Sequence, residues 1–170
     1  YKSAEIADTM KQVYDYFEDN IGVTTIGWKE SVYYIGVMDA YMTTGDLDYY
    51  LNCRDTAESF AYKVNGGQLT DFGDDYAISQ MYLGLDALSP DPDYKLAGTI
   101  ANADYNVDLG KVEYWWCDAL FMSGMVYTEL SRRTGDSSYS DTEFASYKEW
   151  YDKLYSPEYD LWYRDGSYIG

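Results

Sequence analysis

Thr-Gly-Asp-Leu-Asp-Tyr at residues 44–49 is the stretch that decides the fold, because a version of it returns twice. Ser-Pro-Asp-Pro-Asp-Tyr follows at 89–94 and Thr-Gly-Asp-Ser-Ser-Tyr at 134–139, so the closing tyrosines are each 45 residues apart. Glycine, proline and aspartate are suited to ending one helix and capping the next. A period of this length is typical of stacked helical hairpins, so the repeat predicts an all-α chain of αα-hairpins.

The helix before each turn differs in character from the helix after it. The preceding helices are apolar on more than one side, and we predict them at Trp28–Met42, Asp75–Leu88 and Trp116–Arg132. The following helices, such as 49–63 and 143–154, carry more charge and one apolar stripe. This difference predicts an inner layer and an outer layer.

We predict a single domain over residues 1–170, with hairpins at about 22–65, 73–103 and 115–155. An amphipathic helix at 3–19 is expected to lead into the first hairpin. The glycine- and Asp/Asn-bearing stretches 66–73 and 103–112 are predicted to be connectors, and residues 161–164 to be extended.

Composition excludes several classes of partner. The chain has 30 acidic and 12 basic residues and a formal net charge of -18, so it repels nucleic acid and anionic lipid surfaces. No apolar run approaches the roughly 18 residues that a membrane span needs. The sequence therefore predicts a globular domain that binds neither nucleic acid nor membrane.

The chain contains no histidine, which removes zinc sites and most nucleophilic triads from consideration. Cys53 and Cys117 both lie in apolar helical patterns, so we expect two buried free thiols. Chemistry must then rest on carboxylates, tyrosines or cysteines. The 22 tyrosines and 5 tryptophans suit stacking on sugar faces as well as helix packing.

The connectors precede the inner helices, so they are expected to gather at one end of the molecule, where loops on a rigid scaffold carry function. Six candidate residues fall at that end: Trp28, Asp74, Asp75, Trp115, Trp116 and Asp118. The Gly-Asp turns are expected at the opposite end.

Asp118 is the principal catalytic candidate, because it stands at the start of an otherwise apolar helix. Apolar surroundings raise a carboxyl pKa and helix N-terminal N–H groups lower it, so Asp118 is either a general acid or a helix cap. Asp74 and Asp75 occupy the equivalent position one repeat earlier. They are either a second active-site acid or a solvated cap.

Four segments resemble glycoside hydrolase family 105, the unsaturated rhamnogalacturonyl hydrolases, with the unsaturated glucuronyl hydrolases of family 88 as neighbours. They lie at 28–46, 74–83, 116–122 and 161–168, in the order found in the family, and Trp-Cys-Asp-Ala-Leu-Phe-Met at 116–122 is the most specific. The resemblance implies an (α/α)6 six-hairpin toroid, of which three hairpins make about half. Cellular location stays open between the bacterial cytoplasm, the periplasm and secretion.

The resemblance also implies roles for individual residues. Asp118 would act as general acid and base, and Asp75, or alternatively Asp74, would be the second active-site acid. The substrate would be an unsaturated uronyl oligosaccharide left by a polysaccharide lyase, hydrated at its C4=C5 double bond without a metal or organic cofactor. The residues expected to bind that substrate are Trp28, Asp74, Trp115, Trp116, Met122 and Arg164.

Half a toroid would expose apolar surface of its inner helices, so we expect the chain to pair with another copy or with a missing second half. Other readings of the sequence are a non-catalytic carbohydrate-binding module, a helical-repeat interaction scaffold, and a different toroidal hydrolase such as an endo-acting mannanase.

Overall fold

Helices make up nearly all regular structure in residues 3–23 and 25–169, the part of the chain that this computed structural model describes. The helices are α1 Ser3–Asn20, α2 Trp28–Thr44, α3 Leu47–Ser59, α4 Ala77–Leu88, α5 Pro92–Lys95, α6 Ala97–Leu109, α7 Ala119–Thr134 and α8 Ser138–Leu154. Short 3-10 turns occur at Asn65–Gly67, Gly73–Tyr76 and Gly166–Tyr168. The extended segment expected at 161–164 contributes β2, Leu161–Trp162, which pairs antiparallel with β1, Tyr155–Ser156.

Two of the three repeated turns act as the sequence predicts. The turn at 89–94 does not: α4 ends before Ser89, which has φ of -148°, and the Asp91 side chain makes no capping hydrogen bond to α5. Gly45 and Gly135 end α2 and α7 in the left-handed conformation, with φ of 72° and 76°, where a side chain would be strained. The Asp46 carboxylate then accepts the Asp48 N–H at 3.0 Å, and the Asp136 carboxylate accepts the Ser138 N–H at 2.9 Å. Each of these two turns therefore closes one helix and opens the next within three residues.

The helices form two layers, with α4 at the centre. Nine of the twelve residues of α4 are buried, because it packs between α2 and α7. These three are the inner helices, and α3, α6 and α8 lie outside them. Six tyrosines are among the most deeply buried side chains of the described core: Tyr49, Tyr62, Tyr76, Tyr82, Tyr114 and Tyr127.

Some predicted boundaries are wrong. The stretch 103–112, expected to be a connector, is mostly the second half of α6. The third inner helix begins at Ala119 rather than at Trp116, and a 3-10 turn precedes α4. Cys53 is buried as expected, but Cys117 is partly exposed in the turn before α7; both thiols are free. In the described part of the chain, no helix is long and apolar enough to cross a membrane.

Candidate active site

Two segments that lead to acidic residues lie side by side ahead of α4 and α7. The Gly73 N–H donates to the Glu113 carbonyl at 2.9 Å, and the Glu113 N–H donates to the Asp71 carbonyl at 2.6 Å. These bonds form a parallel bridge between Phe72 and Glu113. The pairing places the turn that contains Asp74 beside the stretch that leads to Asp118.

Asp74 is a buried acid in the 3-10 turn before α4. It is 3% exposed, and its Oδ1 atom has no hydrogen-bond partner in the described structure. The pKa of its carboxyl is raised to about 6, mainly by burial and also by the charges of Asp118 and Asp75. Asp74 therefore retains a proton at pH values where an ordinary aspartate is ionised.

Asp118 lies in the turn immediately before α7, with its side chain exposed. Its backbone is helical (φ -75°, ψ -17°), and its carbonyl accepts the Phe121 N–H at 2.9 Å. The side chain makes no capping hydrogen bond to α7. The capping alternative is therefore wrong for this carboxylate, which is exposed to solvent and raises the pKa of Asp74.

Arg164 reaches the same site from the C-terminal segment. Its carbonyl accepts the Cys117 N–H at 2.9 Å, which fixes the segment beside Asp118. The guanidinium contacts the Asp165 carboxylate at 2.8 Å and lies 5.1 Å from the Tyr168 ring centroid. The pKa of Arg164 is raised, first by its hydrogen bond to Asp165, with smaller contributions that include Asp118. A cation thus stands close to Asp118.

Asp75 occupies different surroundings from its neighbour Asp74. Its Oδ2 atom accepts the Thr70 hydroxyl at 2.7 Å. The residue lines a separate cavity of about 480 Å³, together with the segment 25–27 that precedes α2. The hydrogen bond engages the Asp75 carboxylate with the connector, whereas Asp74 is the acid that interacts most with Asp118.

The aromatic candidates are distributed around this end of the molecule. Trp115 is exposed and packs against Phe72, with ring centroids 5.4 Å apart. Trp116 meets Trp115 edge to face and lies 6.0 Å from the Arg164 guanidinium. Trp28, half-exposed at the start of α2, carries the Lys29 ammonium 5.6 Å above its ring. Indole rings are therefore present at the start of α2 and in the segment before Asp118.

Met122 does not reach this surface. Its side chain is 3% exposed, inside the packing of α7. Gln80, on α4, donates to the carbonyls of Phe121 and Met122 at 2.7 and 3.2 Å, so the first turns of α7 are fixed to α4. Met122 supports the site from within, and as placed it contacts no surface ligand.

Sequence reasoning missed a polar cluster beneath the site, formed by Tyr114, Ser123 and Glu143. The Tyr114 hydroxyl makes a short hydrogen bond to Glu143, and Ser123 Oγ lies 3.1 Å from the same carboxylate. Nothing in the sequence marks Glu143, because an acid in a charged outer helix is usually solvated. Only the packing of α8 on α7 makes it a buried group.

This arrangement supports proton transfer. The carboxyl of Asp74 is buried and has a raised pKa, to which the exposed carboxylate of Asp118 contributes, and a cation stands beside Asp118. The indoles of Trp115 and Trp116 lie in the segment before Asp118. No group of three or more His, Cys, Asp or Glu side chains in residues 3–23 and 25–169 is placed to hold a metal ion.

Comparison with known proteins gives a family for this arrangement. The model of glycosyl hydrolase family 88 matches residues 2–170. An unsaturated 3S-rhamnoglycuronyl hydrolase from Formosa agariphila is 31% identical over an alignment of 161 residues, and the match covers 84% of this chain and 41% of that protein. A hydrolase of the same name from Alteromonas sp. is 26% identical over an alignment of 167 residues, and the match covers 84% of this chain and 40% of the relative.

Solved structures agree on the fold. A family 88 glycosyl hydrolase from Bacteroides vulgatus superposes with a TM-score of 0.85 at 26% identity, covering 97% of this chain and 51% of that one. A protein named as a polysaccharide lyase gives 0.88 at 26% identity, covering 98% and 51%. The chain spans about two fifths of the curated relatives it matches and amounts to about half of a six-hairpin toroid. By sequence and by fold, it belongs to glycosyl hydrolase family 88.

Proposed function

We propose that this chain contains the general acid–base residues of a glycoside hydrolase that acts on unsaturated uronyl oligosaccharides. Such oligosaccharides are the products that polysaccharide lyases release from rhamnogalacturonan-type chains. Family membership and the names of both curated relatives support this class of substrate. The observation that carries the proposal is the buried carboxyl of Asp74, of which one oxygen has no partner and whose pKa is raised in part by the charge of Asp118.

In the proposed reaction, Asp118 donates a proton to C4 of the substrate's C4=C5 double bond, and a water molecule adds at C5. Asp118, now ionised, takes the proton that this water releases, so the acid is restored. The hemiketal at C5 opens to a ketone, and the hemiacetal left at C1 collapses and releases the aglycone. Metal and organic cofactors have no part in these steps.

Asp74, rather than Asp75, is the second acid in this proposal. The charge of Asp118 contributes to the raised pKa of Asp74, so Asp74 keeps a proton to a higher pH than an isolated aspartate would. A proton held in the pair is what Asp118 needs at the start of each cycle. Asp75 remains at the rim, where its bond to Thr70 fixes the connector.

Arg164 is the proposed partner of the substrate carboxylate. The net charge of -18 gives an anionic sugar no long-range attraction, so a local cation has to supply the binding energy. Arg164 is exposed, charged and beside Asp118. Trp28, Trp115 and Trp116 would stack on the sugar faces.

We also propose that residues 1–170 form one domain, with hairpins at about 22–65, 73–103 and 115–155. Its inner groove, defined by Met42, Leu83, Phe121 and Met125, lies open between α2, α4 and α7. Another copy of the chain, or a second half of the same protein, would cover this groove.

The experiment follows the loss of unsaturated-uronate absorbance on lyase-generated rhamnogalacturonan and glucuronan disaccharides, using the whole protein. Asp118→Asn is expected to lower kcat by about 10²–10⁴-fold, the usual contribution of a general acid–base group. Asp75→Asn serves as the adjacent control and is expected to lose less than about tenfold, because its carboxylate is engaged with Thr70.

Equal rates for wild type and Asp118→Asn would remove Asp118 from the mechanism. Sugar binding without turnover by wild type would favour a non-catalytic carbohydrate-binding module. No binding at all would favour a helical-repeat interaction scaffold.

A further inference from the structure

Glu143 is a buried carboxyl that the proposed reaction does not use. It lies on α8, 7% exposed, and no lysine or arginine in the described chain forms an ion pair with it. A buried carboxyl without a cation is costly, so its hydrogen bonds have to stabilise it. Its hydrogen-bond partners show which residues this carboxyl holds in position.

Glu143 forms a closed triangle with two hydroxyls from other elements. The Tyr114 hydroxyl donates to Glu143 Oε1 through a short hydrogen bond. Ser123 Oγ lies 3.1 Å from Glu143 Oε1, 3.3 Å from Oε2 and 3.0 Å from the Tyr114 hydroxyl oxygen. The triangle therefore connects α8, α7 and the segment before α7 at one point.

The hydrogen-bond partners of the Glu143 carboxylate are uncharged hydroxyl groups. The pKa of Glu143 is raised to about 7, because burial outweighs the hydrogen bonds from Tyr114 and Ser123, which lower it. The nearby phenols of Tyr76, Tyr114 and Tyr127 have raised pKa values, mainly from burial and partly from the charge of Glu143. Glu143 is thus anchored by hydroxyls alone.

Tyr114 links this cluster to the two acids of the site. Its ring touches Gly73 so closely that a Cβ on Gly73 would lie 2.8 Å from Tyr114 Cδ1 and 3.4 Å from the Ala119 Cβ. Gly73 immediately precedes Asp74, and Ala119 immediately follows Asp118. The Tyr114 ring therefore packs against Gly73, and Ala119 lies across the same narrow space. Ser123 Oγ, which contacts the Tyr114 hydroxyl, also donates to the Ala119 carbonyl at 3.4 Å.

We propose that Glu143 is a positioning residue for the Asp74–Asp118 pair: by fixing the Tyr114 hydroxyl, it sets the spacing between the Gly73 and Ala119 segments and so between the two acids. This role rests on the proposed function of the pair. In this role Glu143 does not contact substrate, and it positions the two acids through Tyr114.

The first measurement is the pKa of Asp74, read by carbon-13 NMR of labelled aspartate in the whole protein. This pKa reports the position of Asp74, because it depends on burial and on the charges of Asp118 and Asp75. Glu143→Ala and Tyr114→Phe each release the ring from its anchor. Both are expected to lower the Asp74 pKa by about one unit, as the carboxyl becomes more solvated and moves away from Asp118.

Two further variants make the measurement specific. Glu143→Gln keeps a carbonyl acceptor for Tyr114 and is expected to restore the Asp74 pKa to within about 0.3 units of wild type. Tyr139→Phe is the matched control, since Tyr139 also lies buried on α8 and donates to a carboxylate, Asp104, at 2.6 Å. It is expected to lower the melting temperature without moving the Asp74 pKa.

Kinetics supply the second measurement. Glu143→Ala and Tyr114→Phe are expected to lower kcat about tenfold with KM changed less than about twofold, because the acids are misplaced while the sugar-binding groups remain. The proposal is overturned if both variants lose stability as Tyr139→Phe does and leave the Asp74 pKa unchanged. Should Glu143→Ala fail to fold, Tyr114→Phe alone decides the question.

The two proposals fail separately. Suppose that the Asp74 pKa shifts in the Glu143→Ala and Tyr114→Phe variants while Asp118→Asn keeps full activity. The positioning role would then stand and the proposed function would be removed. An unchanged Asp74 pKa in the Glu143→Ala and Tyr114→Phe variants, together with an inactive Asp118→Asn, would remove the positioning role and leave the proposed function intact.

Discussion

Asp74 and Asp75 are adjacent in the chain, yet they stand in opposite environments. Asp75 bonds the Thr70 hydroxyl in the connector, whereas one oxygen of Asp74 is buried without a partner. An unsatisfied buried oxygen costs about 1–3 kcal/mol, so a fold retains one only where other interactions compensate. At this position the burial also produces the raised pKa that the proposed reaction uses.

The raised pKa of Asp74 has a consequence for stability. Its folded-state pKa is about 6, against a value near 4 for an unfolded aspartate, so ionisation above pH 4 weakens the folded state. Asp74→Asn removes that ionisation. Between about pH 4 and pH 6, wild type is expected to lose on the order of 1–2 kcal/mol relative to this variant, measured by urea unfolding.

Asp136→Asn provides a control of opposite sign. The Ser138 backbone N–H lowers the pKa of Asp136, so its contribution is present at neutral pH and is lost only in acid, below about pH 4. The difference between Asp136→Asn and wild type is therefore expected to stay constant from pH 5 to 7. A constant difference for Asp74→Asn over the range from pH 4 to 6 would contradict the raised pKa.

At the scale of elements, one arginine joins α7 to α4. Arg133 Nη1 contacts Asp86 Oδ2 at 2.6 Å, and its Nη2 donates to the Leu83 carbonyl at 2.9 Å. The other Asp86 oxygen accepts the Asp91 N–H at 2.8 Å and so holds the turn after α4. The pair is mostly buried, and both partners have further hydrogen bonds, which is the geometry in which removing one partner is costly.

Adjacent arginines make a matched test of this pair. Arg133→Met is expected to lower the free energy of unfolding by about 3 kcal/mol, because it leaves the Asp86 carboxylate buried and unpaired. Arg132→Met removes only a surface pair with Glu129, in which the arginine side chain is 67% exposed, and should cost less than about 1 kcal/mol. Urea unfolding of both variants gives the comparison, and equal losses would show that the Asp86 pair adds nothing.

The helices differ in how far the sequence predicts them. The turns at Gly45 and Gly135 are local structures, so their residues alone indicate the helix ends. Asn102 lies near the middle of α6 and Asn106 in its second half, and both resemble connector residues because asparagine favours turns in isolation. In the structure Asn102 accepts the Thr70 N–H at 2.9 Å, and Asn106 donates to the hydroxyls of Tyr76 and Tyr127. Tertiary hydrogen bonds override the local preference.

The residues of the candidate site also differ in how far the sequence predicts them. The repeat and the family motif together predict where Asp118 lies, because both are properties of contiguous sequence. The choice between Asp74 and Asp75 depends on a backbone turn of four residues, which spacing cannot resolve. The anchoring role of Glu143 depends on contacts 20 and 29 residues away along the chain, at Ser123 and Tyr114, and no local pattern encodes them.

At the scale of the whole molecule, exposed apolar surface favours association, whereas the net charge opposes it. The inner groove leaves large apolar side chains in solvent, among them Phe121 at 52% and Met125 at 56% exposure. Burying them favours association with a second half or another copy. The net charge of -18 repels a second copy, and this repulsion weakens as salt shortens the Debye length from about 30 Å at 0.01 M to 8 Å at 0.15 M.

Association of the 170-residue chain should therefore be strengthened by salt. We expect sedimentation equilibrium to give a mass above that of the monomer, with affinity rising by at least about tenfold between 0.02 and 0.5 M NaCl as the repulsion is screened. Phe121→Ser should return the chain to monomer, since it removes apolar surface from the centre of the groove. Leu69→Ser, a change at a similarly exposed leucine in the connector before α4, should not. A monomer at every salt concentration would show that the groove does not drive pairing between copies.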